Sequence, residues 1–435
     1  MTIPKTISTL TLVVASLTGV HAASFVVSPG QSIQEAINAA SAGDNITVQT
    51  GNYNEDLTIN KGLDIRGAGG AVLVTGTLTI SSVTTPVYIA DISFGKSGAS
   101  GMTVTGSSNV RFDRIKLVGG GNLGATNSTV YCYKGQFDNS VSFTGSTWTL
   151  QRSTIAGTLT SGTSTAKCIA TSVTGNFSHN NGELTVFQSN LAEFCDVVLS
   201  ASQRSWICYN TLRYLQINGG TSEVVGNWMD GRDRNDFFVQ LRGGAVTILR
   251  NNQLWNDGRY GDRYGWHNGA TAIRVLGDAG MTRVFNNTIT DIHAGIDVQG
   301  SPAGVEIRGN IHRNVPNAAW SVNTGHAGTI ISHNNFQYAI NGGVQNSNID
   351  ADAQFVSYGA LGATSPSRNA GPPDAIFNDI DGSRNDQGAT GGHSYDPEGR
   401  TTLKPVVLSG DVSPLYVKRG GAVTVRARAA VAAAP

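Results

Sequence analysis

The sequence predicts an all-β solenoid, a stack of short strands wound into coils and closed at one end by a single helix. Three observations predict it. Helical periodicity is confined to residues 32–69 (SIQEAINAASAGDNITVQTGNYNEDLTINKGLDIRGAG). From Val72 onward the chain consists of short apolar alternations separated by Gly, Ser, Asn and Asp. A phrase made of an apolar strand, one or two Asn and another apolar residue then recurs along the chain.

The chain opens with a sparse positive start at Lys5, an apolar run over residues 7–20 and a small-residue cleavage site at Val20-His21-Ala22. Residues 1–22 therefore have the form of a secretory signal peptide. The run is shorter than the ~20 residues a membrane-spanning helix needs, and no later segment is long enough. The mature chain is expected to be secreted or at the cell surface, and monomeric.

Ser32, followed three residues later by Glu35, has the pattern of a capping box. Ile33, Ala36, Ile37 and Ala40 fall on one helical face, and Gly43 supplies the stop. Helices shorter than ~12 residues are marginal in water. The apolar stripe must therefore lie on something apolar, namely the open end of the coil stack.

The strands follow as Val72-Leu73-Val74, Leu78-Thr79-Ile80, Val87-Tyr88-Ile89, Met102-Thr103-Val104 and Val110-Arg111-Phe112. One Asn from each later phrase gives Asn190, Asn210, Asn227, Asn252, Asn287, Asn310 and Asn335, spaced 17 to 25 residues apart except for one gap of 35. This scatter suits one solenoid turn per repeat, with an insertion of about a dozen residues in one coil. Asn tolerates the left-handed backbone of a sharp turn, and its amide can bond the same amide one coil away. These residues are read as architectural. A propeller blade needs ~40 or more residues per repeat, which the spacing excludes.

Composition agrees. The chain is 39% hydrophobic and 14% charged, with 54 Gly, which describes a folded, turn-rich protein. Its formal net charge is zero, so no global field points to nucleic acid or an anionic membrane. Cys132, Cys168, Cys195 and Cys208 allow two disulfides in three pairings, or four buried thiols packing as small apolar residues.

The wording of residues 32–69 and the Asn-rich phrases resemble the amino-terminal entry and coil repeats of right-handed parallel β-helix proteins of the pectin-lyase-like superfamily. The resemblance covers residues 24–392 and implies a right-handed single-stranded parallel β-helix. It implies no single activity, because the superfamily contains polysaccharide lyases, glycoside hydrolases, sugar-modifying enzymes, phage tailspikes and noncatalytic surface proteins. Residues 365–392, with Asp379-Ile380-Asp381-Gly382-Ser383-Arg384-Asn385-Asp386, resemble the closing segment of secreted bacterial β-helix proteins and are read as a far-end cap. No cofactor is required by this reading. Asp379, Asp381, Asn385 and Asp386 offer oxygen ligands for Ca2+, but Gly382 sits two positions too early for an EF-hand-like loop, and an acidic turn held by Arg384 is the favoured reading. Residues 393–405 read as a linker, and residues 406–435 resemble a truncated immunoglobulin-like module.

A reacting site is expected on the outside of the coils, where loops interrupt the repeat. The inserted turn over residues 256–267 carries Asp257, Arg259, Tyr260, Asp262, Arg263, Tyr264, Trp266 and His267. One coil earlier, Asp230, Arg232, Asp233, Arg234 and Asp236 have similar chemistry. Stacked coils lie ~4.8 Å apart, so both loops are expected to border one groove. Trp266, Tyr260 and Tyr264 offer platforms for sugar rings, and the arginines offer bidentate bonds to hydroxyls or uronate carboxylates. A glycoside hydrolase would draw its two carboxyls from Asp230, Asp233, Asp236, Asp257 and Asp262. A polysaccharide lyase needs a base and cations; no lysine occurs between Lys167 and Lys404, so that role would fall to Arg259, Arg263, His267 or a tyrosine. The superfamily's hydrolase and lyase motifs are missing. A solvated, salt-bridged surface on a noncatalytic adhesion protein is the competing reading. His293, His312 and His333 recur about one repeat apart and are read as coil positions rather than a metal row.

Overall fold

The computed structural model describes residues 22–95, 101–230, 237–255, 270–313, 319–357, 359–393, 395–413 and 424–431. Residues 1–21 of the expected signal segment lie outside them. Among the described residues no helix is long and apolar enough to cross a membrane.

Alternation decides the strands. In Val72–Val74, Leu78–Ser81 and Met102–Thr105 every second side chain is buried and its neighbours face outward. Each strand pairs in parallel with its equivalent one coil away, which produces an all-β parallel solenoid of about 14 turns. Three sheets run along it. The first extends from Ser24–Val27 to Val344–Asn346, the second from Gly51–Tyr53 to Asn335–Phe336, and the third from Leu57–Ile59 to Ile340–Asn341. In Asn190–Cys208 and Thr211–Val225 extended backbone continues around the corners through all three sheets.

The core is a set of inward columns. Phe112, Cys132, Leu150, Cys168, Val186 and Ile207 are successive register partners in the first sheet, and all are buried. Burying each such side chain contributes about 1.5–3 kcal/mol. The four cysteines are free and buried, so the disulfide alternative is not realised. Burial pushes the thiols of Cys132, Cys168 and Cys208 up to about 12.

The single α-helix among the described residues, α1 (Ile33–Ala39), buries Ile33 and Ile37 against Ser24–Val27, Asn45–Val48 and Leu57–Ile59, across the first coil. Its cap differs from the box expected of Ser32 and Glu35. The Ser32 hydroxyl accepts from the Glu35 N–H at 3.1 Å, but the reciprocal carboxylate is Glu55. Glu55 accepts from the N–H groups of Ile33 (2.7 Å) and Gln34 (3.0 Å) and from the Ser32 hydroxyl (2.7 Å). A coil residue thus ties the helix start to the solenoid.

Between the first and second sheets each coil turns a tight corner, using two adjacent residues for two tasks. The first residue has positive φ: Arg114 (50°), Lys134 (53°), Arg152 (52°), Ala170 (49°), Gln188 (49°), Tyr209 (58°), Gly226 (66°), Asn251 (56°), Asn286 (51°), Gly309 (67°) and His333 (55°). The second is a ladder residue whose side chain accepts the backbone N–H of its counterpart one coil before. Ser153, Thr171 and Ser189 form the hydroxyl part, and Ser189 passes the ladder to Asn210 at 2.8 Å. Asn227, Asn252, Asn287, Asn310, Asn334 and Asn348 continue it at 2.8–3.1 Å. The ladder expected from sequence is therefore corrected at two places. Ser189 replaces Asn190, which begins a second-sheet strand, and Asn334 replaces Asn335, which bonds the Ala351 carbonyl and Ser367.

The carboxyl-terminal segment is not an end cap. It runs back along this same corner as a strap. Gln387 donates to the His333 carbonyl at 2.8 Å, and the Gly388 N–H to the Gly309 carbonyl at 2.7 Å. Asn286 donates to Asn385 (3.0 Å), and Asn251 to the carbonyls of Ala389 (3.0 Å) and Gly391 (2.6 Å). Gln188 binds the carbonyls of Gly399 (2.9 Å) and Thr402 (2.8 Å). The antiparallel strands Val406–Ser413 and Thr424–Ala430 then rest on the first sheet over Phe187, Trp206, Cys208, Tyr209 and Val225, with Arg428 stacked 3.6 Å from the Trp206 ring centre. Arg384 does not hold the acidic turn; it binds the Gly371 carbonyl, while Asp379 accepts backbone N–H groups of Asp386 and Gly392.

Candidate functional site

The two sequence-predicted loops fall between strands of the second and third sheets. Asp230 and Trp255, the last strand residues before them, are register partners, and Phe237 and Thr271 pair where the chain re-enters. The anchors of both loops therefore lie side by side, one coil apart. Arg232, Asp233, Arg234, Asp236, Asp257, Arg259, Tyr260, Asp262, Arg263, Tyr264, Trp266 and His267 lie outside the described residues. Of the predicted site, Asp230 is described, and it is buried at 4% exposure.

On the second-sheet side, outward alternation places Trp228 and Trp255 on neighbouring strands, edge to face with ring centres 5.4 Å apart. The Trp255 indole N–H donates to Asp291 at 2.8 Å. Asp291 holds a positive φ of 58° at this corner, a strained conformation for a non-glycine residue. Together with Gln253, Thr288, Thr290, Phe355 and Ser357 these residues line a cavity of about 210 Å3.

On the third-sheet side a polar column faces outward: Gln216, Gln240, Arg274, Asp297 and Asn323 are successive register partners. Arg274 lies 3.5 Å from Asp297, which also accepts from Gln299 (2.7 Å) and Asn323 (3.2 Å). Arg274 stacks on Phe237 at 5.0 Å, and Phe237 meets Tyr214 with ring centres 5.4 Å apart. The Tyr214 hydroxyl donates to Gln216 at 2.7 Å. The corner thus joins aromatic faces to a row of amide, guanidinium and carboxylate groups repeating once per coil.

Sequence reasoning did not single out the polar column of the third sheet. Its signal was a polar residue between two aliphatic ones, in Val239-Gln240-Leu241, Ile273-Arg274-Val275 and Ile296-Asp297-Val298, repeated in register. The histidines occupy unlike positions and form no row. His312 points into the core between the Ser321 hydroxyl (3.1 Å) and the Ile292 carbonyl (3.0 Å), and burial lowers its pKa to about 4. His333 is a corner residue with positive φ. Among the described residues no group of His, Cys, Asp and Glu has the arrangement of a metal site.

No protein-family model matches the chain, and no curated protein matches it. Among solved structures it is similar to tailspike protein 3 of bacteriophage CBA120, at 12% identity and a TM-score of 0.48, covering 79% of this chain and 61% of that one. It is similar to a PL6 family alginate lyase, AlyGC, at 14% identity and a TM-score of 0.40, covering 82% and 60%. It is also similar to the A-module of a mannuronan C-5 epimerase from Azotobacter vinelandii, at 12% identity and a TM-score of 0.32, covering 72% and 93%. The chain spans about three fifths of the length of the first two. At these identities the likeness is one of coil architecture.

Proposed function

We propose that this chain is a secreted polysaccharide-active protein, with its groove at the corner between the second and third sheets. The observation that carries the reading is the joining, at one corner, of the Trp228–Trp255 pair and the Gln240–Arg274–Asp297–Asn323 column. Sugar rings present apolar faces and hydroxyl edges, and a site for them needs aromatic platforms beside fixed donors and acceptors. The column supplies one polar group per coil along the axis, which suits a chain of repeating sugars rather than a compact ligand.

The proposed chemistry is cleavage of the glycan by hydrolysis or elimination. Asp230 and Asp291 at the corner join Asp233, Asp236, Asp257 and Asp262 as the pool of acids and bases. His267 and the arginines of the inserted loops are the proton-transfer and charge-stabilising groups of a lyase. The same groove without turnover would make the protein an adhesion module.

The test is a panel of neutral and acidic polysaccharides, read by tryptophan fluorescence for binding, by new reducing ends for hydrolysis and by absorbance of the unsaturated product for elimination. Trp255→Ala and Arg274→Ala are each expected to weaken binding about tenfold, equivalent to ~1.4 kcal/mol. Binding unchanged in both variants removes the corner from the mechanism; binding without turnover selects the adhesion module.

A further inference from the structure

Among the described residues, the corner between the first and second sheets is covered along only part of its length. From His333 back to Gln188 the strap lies on it, held by side chains and backbone of the corner residues. Before Gln188 the corner continues as Ala170, Arg152, Lys134 and Arg114, and the strap has by then left it for the first sheet. The composition changes where the cover stops. In the covered half Asn251, Asn286 and Gln188 reach the strap's carbonyls or amides. In the open half three successive corners carry cations.

These cations occupy positions where they are conformationally unfavourable. Arg114, Lys134 and Arg152 each hold φ near +50°, at 50°, 53° and 52°, a region in which Gly and Asn are at home and long side chains are strained. Residues 111–167 contain six Lys or Arg against two Asp, in a chain whose net charge is zero. Arg114 is neutralised by Asp91 and Asp113. Arg111, Lys134, Arg152 and Lys167 form no salt bridge among the described residues. Arg111 stands between the rings of Tyr88 (5.6 Å) and Tyr131 (5.1 Å), which fixes its guanidinium over the sheet. Arginines on this face already take carboxylates as forks: Arg66 grips Asp64 through two bonds of 2.7 Å, and Arg114 grips Asp91 at 2.6 and 2.8 Å.

We propose that this open stretch is a second glycan site, distinct from the groove at the other corner. It takes a linear polysaccharide bearing carboxylates, laid along the solenoid axis where the strap does not reach. The strap, although built of successive turns, shows that this corner accepts a chain running along the axis. Coils repeat every ~4.8 Å, close to the length of one sugar unit in an extended glycan, so cations on successive coils meet carboxylates on successive sugars. The site binds and does not react; it holds an acidic polymer on one side of the solenoid.

The experiment uses the full chain carrying Trp255→Ala and Arg274→Ala, so that the groove is disabled and only this stretch is read. Oligomers of a polyuronate are titrated, with their methyl esters, a sulfated glycan and single-stranded DNA as comparisons. Polyuronate binding that weakens with salt is expected, with at least a tenfold loss when Lys134→Asn and Arg152→Asn are added. Because Asn suits a positive φ, that same pair is expected to raise the melting temperature, which separates lost binding from lost folding. Lys134→Arg should retain binding. The inference is overturned if disabling the groove abolishes polyuronate binding, if the Asn pair leaves it unchanged, or if esters, the sulfated glycan or DNA bind as tightly.

Discussion

At the scale of single residues, the ladder shows how one side chain can serve three coils. Asn252 accepts the N–H and side-chain amide of Asn227 at 3.0 and 2.9 Å, and donates to the Val224 carbonyl at 2.9 Å and to Asn287 at 2.9 Å. Asn252→Ala orphans two buried donors of Asn227 and removes the donor to the Val224 carbonyl, while Asn287 keeps the backbone N–H of residue 252; at about 1–3 kcal/mol each, a total loss of roughly 3 kcal/mol or more is expected. Chemical denaturation with amide exchange read at neighbouring coils measures it, and a loss within ~1 kcal/mol would contradict the ladder's role. His312 gives a pH prediction. Its Nε2 must donate to the Ile292 carbonyl, so Nδ1 accepts from Ser321 and the folded ring is neutral. Its pKa is lowered to about 4 from 6.5, so below 6.5 the unfolded chain takes a proton that the folded chain refuses. Stability therefore falls as pH drops from 6.5 to about 4, by roughly 3 kcal/mol from this residue. Comparing the pH dependence of the denaturation midpoint with that of His312→Gln isolates this share; parallel profiles would refute it.

At the scale of elements, α1 depends on a residue outside itself. Glu55→Ala removes three bonds to the helix start, two of them charge-assisted contacts to backbone N–H groups. A loss of about 2–3 kcal/mol is expected, against about 1 kcal/mol for Glu35→Ala if the sequence-level capping box were the working one. Thermal unfolding of the two variants ranks them. The sequence signalled the helix and its capping serine correctly, because both are local patterns. It assigned the wrong glutamate because Glu55 arrives from the coil, 23 residues from Ser32. The strap illustrates the same limit more strongly: Asn251 and Gly391 are 140 residues apart. Nothing in the periodicity of residues 365–392 distinguishes a segment covering the end from one lying along the side.

At the scale of the whole molecule, the solenoid is a one-dimensional stack whose first coil is covered by α1. Deleting residues 22–43 exposes the strand Asn45–Val48, which then lacks its partner Ser24–Val27. Concentration-dependent association is expected from the bared edge, and light scattering across a dilution series tests it; a monomeric deletion would refute the covering role. The sequence by itself determined the coil architecture and the helix at its start. Alternation and spacing are local properties that parallel stacking preserves. Only the tertiary structure decided which residue of each phrase joins the ladder, that the cysteines remain thiols, and that a polar column from Gln216 to Asn323 runs along the third sheet. It also decided that the described part of the strap leaves the corner after Gln188 for the first sheet. Those outcomes depend on register between coils and on contacts between distant segments, where the positions of neighbours in space decide what each side chain meets.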